Sequence, residues 1–132
     1  FRVRVGIPFP PNDVMNLILM SVIARVQRNF KVKLCHMIWM GNHVHIVVIV
    51  MDAEDCTAFY GEIQKQLTDI VKRLLGLDFL HMWEGTPMVA QILDAEKMLQ
   101  RIAYLYANPS RAHLVDSIEH YPGVSSYKSF KG

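Results

Sequence analysis

Two histidines stand at the start of a stretch that strongly favours a β-strand, residues 44–50, V-H-I-V-V-I-V. Side chains alternate between the two faces of a strand, so His43 and His45 project from the same face. They directly follow Gly41 and Asn42, a dipeptide typical of a two-residue hairpin turn. Two neutral imidazoles on one face begin a site for a divalent metal, but such a site needs further ligands.

A tyrosine and an asparagine farther along the chain could complete that chemistry. Tyr104 and Asn108 are four residues apart on a predicted helix and are therefore neighbours on one face. Two imidazoles and one amide oxygen suit Mg²⁺ or Mn²⁺ when a substrate phosphate completes the shell, whereas zinc would need a third strong nitrogen or sulfur ligand. A metal that polarises a phosphoryl oxygen would let a phenolate, unreactive at its ordinary pKa of about 10, attack phosphorus.

The elements that must position these residues follow from hydrophobic periodicity and from the stop signals between them. The pattern predicts a strand over 1–7, a helix from Asn12 or Asp13 to about 29, a hairpin of strands over 31–40 and 43–50, a helix over 55–75, an edge strand or hairpin within 79–93, and a helix from 95 to about 107. Asp94 caps the last helix, and Pro109 is expected to end it.

This order of elements predicts an α+β fold of the ferredoxin-like, split βαβ type. Its antiparallel sheet carries two helices on one face, and the added third helix is free to cover the other face. The first helix should be well buried along Val14, Leu17, Ile18, Ser21, Val22, Arg25 and Val26. The second helix should bury Phe59, Ile63, Leu67, Ile70, Val71 and Leu74, and Gly76 should cap its end.

Composition sets broad limits on the function. The 132 residues predict a single domain, and the net charge of +2 predicts that any nucleic acid is held by local basic patches. Cys35 and Cys56 lack metal-binding spacing and are expected to be reduced thiols in a cytoplasmic protein. No apolar stretch is long enough to predict a membrane span.

Three motifs in order resemble those of the HUH single-tyrosine transposases, and specifically the REP-associated tyrosine transposase branch. Residues 41–45, G-N-H-V-H, resemble the P-N-H-V-H element, with Gly41 in place of proline. Residues 104–115, Y-L-Y-A-N-P-S-R-A-H-L-V, resemble Y-I-H-x-N-P-V-R-A-G-L-V, with His113 in place of a frequent glycine. Residues 121–127, Y-P-G-V-S-S-Y, resemble Y-P-W-S-S-Y. The segment 82–87 is less basic than its usual counterpart.

The resemblance implies a ferredoxin-like fold and metal-dependent cleavage of single-stranded DNA, in which a tyrosine forms a 5′-phosphotyrosyl link and leaves a free 3′-hydroxyl. Carried over residue by residue, Tyr104 is the nucleophile, and His43, His45 and Asn108 are ligands of Mg²⁺ or Mn²⁺. Tyr106 lies about 200° round the helix from Tyr104, so only one of the two tyrosines shares a face with Asn108.

The expected partner is single-stranded or hairpin DNA inside a bacterial-type cell, bound by a monomer or a homodimer. Arg101, Arg111 and Lys128 are candidate phosphate contacts because they lie close to the proposed site in the sequence. Two other functions remain open: a module of the same fold that binds hairpin DNA without cutting it, and a metal-dependent phosphodiesterase that uses activated water. Replacing Tyr104 with phenylalanine separates these three functions.

Overall fold

The computed structural model describes residues 2–3, 12–85, 87–112 and 114–128. The elements are β1 (Arg2–Val3), α1 (Asp13–Asn29), β2 (Val32–Trp39), β3 (Val44–Val50), α2 (Ala53–Leu75), β4 (Trp83–Glu84), α3 (Ala95–Arg111) and a 3-10 turn (Ile118–His120). This is the order predicted from the sequence. The rest of the predicted first strand, and His113, lie outside the described residues. Within the described ranges, no helix has the length and apolar character needed to cross a membrane.

The strands pair antiparallel, β1 with β4 and β2 with β3. In the turn between β2 and β3, the N–H of Met40 donates to the carbonyl of His43 at 2.8 Å, which closes the predicted two-residue loop. Helices α1 and α2 pack on one face of this hairpin, and α3 packs on β2 from the other face. The α+β, ferredoxin-like fold predicted from the sequence is therefore confirmed.

The larger core lies between the hairpin and the helix pair α1 and α2, and it includes the fully buried side chains of Val22, Val26, Ile63 and Leu67. The predicted stripe on α2 is correct except at Leu74, which is exposed, whereas the predicted face of α1 is wrong at its start and at Ser21 and Arg25, which are exposed. Val14 and Leu17 are 70% and 68% exposed, and Leu19 and Ile23 are buried instead. Residues 17–20 of α1 are all apolar, so periodicity alone does not choose the buried face there.

A β-bulge at Cys35 changes which residues of β2 face each helix layer. Leu34 pairs with Val48 and His36 pairs with Val47, so Cys35 is an extra residue in the ladder. Val32 and Leu34 therefore face α1 and α2 before the bulge, and Met37 and Trp39 do so after it. Without the bulge, alternation would turn His36 toward α1 and α2. With it, His36 shares the α3 face of the sheet with Ile38.

Helix α3 is fixed on this face by a small apolar cluster and a buried chain of hydrogen bonds. Ile38 and Met40 pack against Leu105 and Tyr106. The hydroxyl of Tyr106 lies 2.8 Å from Nδ1 of His36 and 2.8 Å from Oγ of Ser126. Burial raises the pKa of Tyr106 and lowers the pKa of His36, so both groups are held in their neutral forms.

The segment after α3 lies along the outer edge of β2. The N–H of Trp39 donates to the carbonyl of Val124 at 2.9 Å, and the N–H of Ser126 donates to the carbonyl of Met37 at 3.0 Å. Oγ of Ser126 also accepts the N–H of Met37 at 2.8 Å. This segment satisfies backbone groups that an edge strand would otherwise expose, and it places Ser126 beside Tyr106.

The predicted end of α3 is wrong, because the helix continues through Asn108 and Pro109 to Arg111. Proline has no N–H to donate to the carbonyl of Leu105, four residues earlier. The side-chain amide of Asn108 replaces that donor: its Nδ2 lies 3.3 Å from the carbonyl oxygen of Leu105 and 2.9 Å from that of Tyr104. The buried ring of Pro109 adds packing at this turn, so the helix tolerates the proline.

Two glycines of α2 should respond in opposite directions to alanine. Gly76 caps the helix with φ of +66°, a left-handed conformation that costs a residue with a Cβ about 1 kcal/mol. Gly61 lies inside the helix, and a Cβ there meets no atom within 4 Å. We expect Gly76→Ala to lower the free energy of unfolding by about 1 kcal/mol and Gly61→Ala to raise it by about 0.5–1 kcal/mol, as measured by urea denaturation. Equal effects would contradict this account of the cap.

Stability should fall in mild acid because of His36. Its native pKa is lowered by burial, so the unfolded chain takes up the proton first, near pH 6.5. The contribution of neutral His36 to the free energy of unfolding is therefore fully present above pH 6.5. It is lost as the pH falls toward the lower native pKa. We expect the stability difference between wild type and His36→Gln, measured by urea denaturation, to shrink from pH 8 to pH 5. A constant difference across this range would contradict the prediction.

Candidate active site

His43 and His45 lie side by side at the start of β3. Their ring centroids are 4.9 Å apart and their planes are nearly perpendicular, at 89°. Nδ1 of His43 lies 2.7 Å from Oδ1 of Asn42, a contact that orients the imidazole ring. The turn that begins β3 therefore also orients the first imidazole.

Tyr104 is next to this pair. Its ring centroid lies 6.0 Å from that of His45, with the planes at 88°, and the side chain is 43% exposed. The guanidinium carbon of Arg111 lies 4.8 Å from the centre of the Tyr104 ring, within the range of a cation-π contact. The structure thus brings an accessible phenol, an imidazole pair and a cation together on the α3 side of the sheet.

Tyr106 has the opposite environment although it is only two residues away. It is 7% exposed, and its hydroxyl is shared between His36 and Ser126. Its ring also packs edge-on against that of Tyr127, with centroids 5.4 Å apart. A phenol that is buried, already hydrogen-bonded and raised in pKa is a poor nucleophile, so the geometry favours Tyr104 over Tyr106.

Asn108 lies on the Tyr104 face of α3. Because its Nδ2 is held by the carbonyls of Tyr104 and Leu105, its Oδ1 is the atom that points away from the helix backbone. Among the described residues, no three His, Cys, Asp or Glu side chains are grouped closely enough to hold a metal ion. The imidazole pair and the amide oxygen of Asn108 are therefore the candidate donors predicted from the sequence.

That donor set fits a divalent ion in two respects. The two imidazole rings lie close together, with centroids 4.9 Å apart, as a shared divalent ion would require. The amide adds a neutral oxygen, and open coordination positions would remain for phosphate oxygens, the arrangement expected for Mg²⁺ or Mn²⁺.

The predicted phosphate contacts are not all in one place. Arg101 and Arg111 lie on the Tyr104 face of α3. Lys128 is exposed but follows Tyr127, whose ring packs on Tyr106, so it lies nearer the other face of α3.

Sequence reasoning missed Lys97 and Gln100, which line a cavity of about 320 Å³ together with Arg101 and Tyr104. A signal was present in the spacing, because Lys97 and Arg101 precede Tyr104 by seven and three residues and so share its face of the helix.

Comparison with known proteins supports the fold assignment. No protein-family model and no curated protein matches the chain. One solved structure is similar to it: a REP-associated tyrosine transposase bound to a REP hairpin, with a TM-score of 0.79 and 18% sequence identity. The similarity covers 97% of this chain and 73% of that chain. The chain therefore has the fold of this transposase over almost its whole length.

Proposed function

We propose that this protein is a metal-dependent, single-strand DNA endonuclease and strand transferase that uses Tyr104 as its nucleophile. The observation that carries the proposal is the position of Tyr104, which is accessible and 6.0 Å from His45, ring to ring, on the face where the imidazole pair lies. The similarity in fold to a REP-associated tyrosine transposase supports the same class of reaction.

The proposed reaction transfers a phosphoryl group from DNA to the protein. The phenolic oxygen of Tyr104 attacks the scissile phosphorus and forms a new phosphorus–oxygen bond, while the bond from phosphorus to the 3′ oxygen of the neighbouring nucleotide breaks. The proton lost by the phenol is balanced by the proton that the leaving 3′ oxygen gains. The products are a 5′-phosphotyrosyl link and a free 3′-hydroxyl, and the retained bond energy allows later transfer of the strand.

His43, His45 and Asn108 would hold the divalent ion in this proposal. When bound, such an ion supplies Lewis-acid polarisation of a phosphoryl oxygen. Asn42 orients the ring of His43, and the backbone carbonyls of α3 hold the carboxamide of Asn108. Arg111 holds the Tyr104 ring and brings positive charge to the place where the phenolate and the phosphate meet.

The proposed substrate is a hairpin with an adjacent unpaired strand. The structural neighbour is bound to a REP hairpin, and the exposed cations on the Tyr104 side of α3 provide the local charge that binding of a single strand requires. A net charge of only +2 is consistent with binding through that local surface and not through a uniformly basic molecule.

Replacing Tyr104 with phenylalanine should abolish covalent capture of DNA. We expect wild-type protein, incubated with labelled hairpin oligonucleotides and Mn²⁺ or Mg²⁺, to yield labelled protein on a denaturing gel, and EDTA or Tyr104→Phe to remove that label. The midpoint of thermal unfolding should stay within about 2 °C, because the side chain of Tyr104 is 43% exposed.

Tyr106→Phe is the matched control. It should retain the adduct at temperatures where it is folded, but destabilise the protein by about 1–2 kcal/mol because His36 and Ser126 lose their shared partner. Loss of the adduct in folded Tyr106→Phe with retention in Tyr104→Phe would reverse the assignment. DNA binding without an adduct in wild type would indicate a non-catalytic hairpin-binding module, and strand cleavage that survives Tyr104→Phe would indicate a phosphodiesterase that uses water.

Metal binding can be tested apart from catalysis. A ligand that binds only the folded state raises its stability by about 2.7 kcal/mol at one hundred times its Kd. We expect Mn²⁺ to raise the melting temperature of the wild type, and His43→Ala or His45→Ala to remove most of that increase. His120→Ala, an exposed histidine on the 3-10 turn, serves as the control and should retain it. An equal increase in all four proteins would exclude the imidazole pair as the metal site.

A further inference from the structure

We propose that the cavity lined by Lys97, Gln100, Arg101 and Tyr104 is a backbone subsite for the DNA strand on one side of the cleaved bond. The proposal rests on the function proposed above, and it adds the place where the strand lies and two residues, Lys97 and Gln100, that the sequence motifs do not include. The ligand class is one to two adjacent phosphodiesters of an unpaired strand.

The chemistry of the lining suits phosphate. Lys97 and Arg101 supply two cations, and Gln100 supplies an amide that can donate a hydrogen bond to a phosphate oxygen. All three side chains are exposed. None of the four residues that line the cavity is acidic, although the carboxylate of Asp94 caps the helix at the backbone N–H of Lys97.

The size of the cavity agrees with that ligand. A volume of about 320 Å³ is at the lower end of the range of small-molecule sites and has room for a phosphate with part of its sugar. A second cavity, of about 330 Å³, is lined by Ser110, Leu114, Val115 and Asp116. Its described lining includes a carboxylate and no lysine or arginine, so it suits a polyanion less well.

The position of the cavity gives the path of the strand. Tyr104 belongs both to the cavity and to the group of rings that includes His45, so a strand in the cavity would pass directly to the proposed nucleophile. Arg101 and Lys97 lie about 4.5 Å and 10 Å from Tyr104 along the helix axis, both toward the amino end. With a rise of about 3.4 Å per nucleotide in a stacked strand, these distances correspond to phosphates one to three nucleotides from the cleaved bond.

The three basic side chains on this face lie at different positions relative to Tyr104. Arg111 reaches back from the carboxyl end of α3 to the ring of Tyr104. Arg101 and Lys97 lie about one and two turns before Tyr104 and line the cavity together with it. We therefore assign Arg111 to the reacting centre and Lys97 and Arg101 to the neighbouring backbone.

The first test measures the salt dependence of DNA binding. It uses the hairpin oligonucleotide with an unpaired flank that binds wild type most tightly, with EDTA present and Tyr104→Phe in every protein to prevent cleavage. We expect Lys97→Gln and Arg101→Gln each to weaken binding about three- to tenfold and to reduce the slope of log K against log salt by about 0.7. Lys65→Gln, an exposed lysine on α2 at the other side of the sheet, is the matched control.

The subsite would be overturned if the slope of log K against log salt were the same in Lys97→Gln, Arg101→Gln and the parent protein. It would also be overturned if Lys65→Gln lost as much binding affinity as the other two variants. Because cleavage plays no part in this measurement, the two proposals fail separately. An adduct in wild type with unchanged slopes would retain the nuclease and remove the subsite. Reduced slopes without any adduct would retain the subsite on a DNA-binding protein and remove the nuclease.

The second test locates the phosphates. Single methylphosphonates, which remove one backbone charge, are placed in turn along the unpaired flank, and each is combined with Arg101→Gln in a double-mutant cycle. At most positions, the fold loss of affinity for the double change should equal the product of the two single losses. We expect it to be smaller than that product at one or two adjacent positions, which lie one to three nucleotides to one side of the cleaved bond. Independent losses at every position, or equal coupling on both sides, would overturn the assignment.

Discussion

The rotation of α3 about its own axis decides what chemistry this molecule can present. That rotation is set by Tyr106, which inserts against Ile38 and Met40 and shares its hydroxyl with His36 and Ser126. Once Tyr106 faces the sheet, Tyr104 must lie about 200° round the helix, where it is accessible beside His45. The buried, hydrogen-bonded Tyr106 thus determines where the exposed Tyr104 lies. Because the two tyrosines are two residues apart, they lie on nearly opposite sides of the helix and have different environments.

The sheet contributes to the same constraint through an irregularity in β2. The bulge at Cys35 turns His36 toward α3, where it meets the hydroxyl of Tyr106, while Met37 and Trp39 continue the core on the opposite face. On β3 the regular alternation that keeps His43 and His45 together is unbroken. One strand therefore needs an extra residue to anchor the helix, and its neighbour needs strict alternation to assemble the imidazoles.

Local patterns were sufficient for much of this arrangement. The hairpin turn, the common face of His43 and His45 and the glycine cap of α2 depend on neighbouring residues, and each was predicted. Several of the missed features depend on contacts distant in sequence, whereas the continuation of α3 past Pro109 depends on a local hydrogen bond from the side chain of Asn108. The bulge is stabilised by packing on both faces of β2, and the buried face of α1 is chosen by α2. The cavity beside Tyr104 requires knowing which side of α3 is left exposed.

Asn108 shows how a residue proposed as a ligand can also stabilise the helix that carries it. Its amide nitrogen replaces the donor that Pro109 lacks, which allows α3 to continue to Arg111. Because that nitrogen is held by backbone carbonyls, the amide plane is fixed and Oδ1 is directed away from the helix axis, as a ligand must be. The same extension of α3 carries Arg111 far enough along the face to reach back over the Tyr104 ring. Pro109, which was expected to end the helix, therefore lies within the turn between Asn108, the proposed ligand, and Arg111, the cation beside the proposed nucleophile Tyr104.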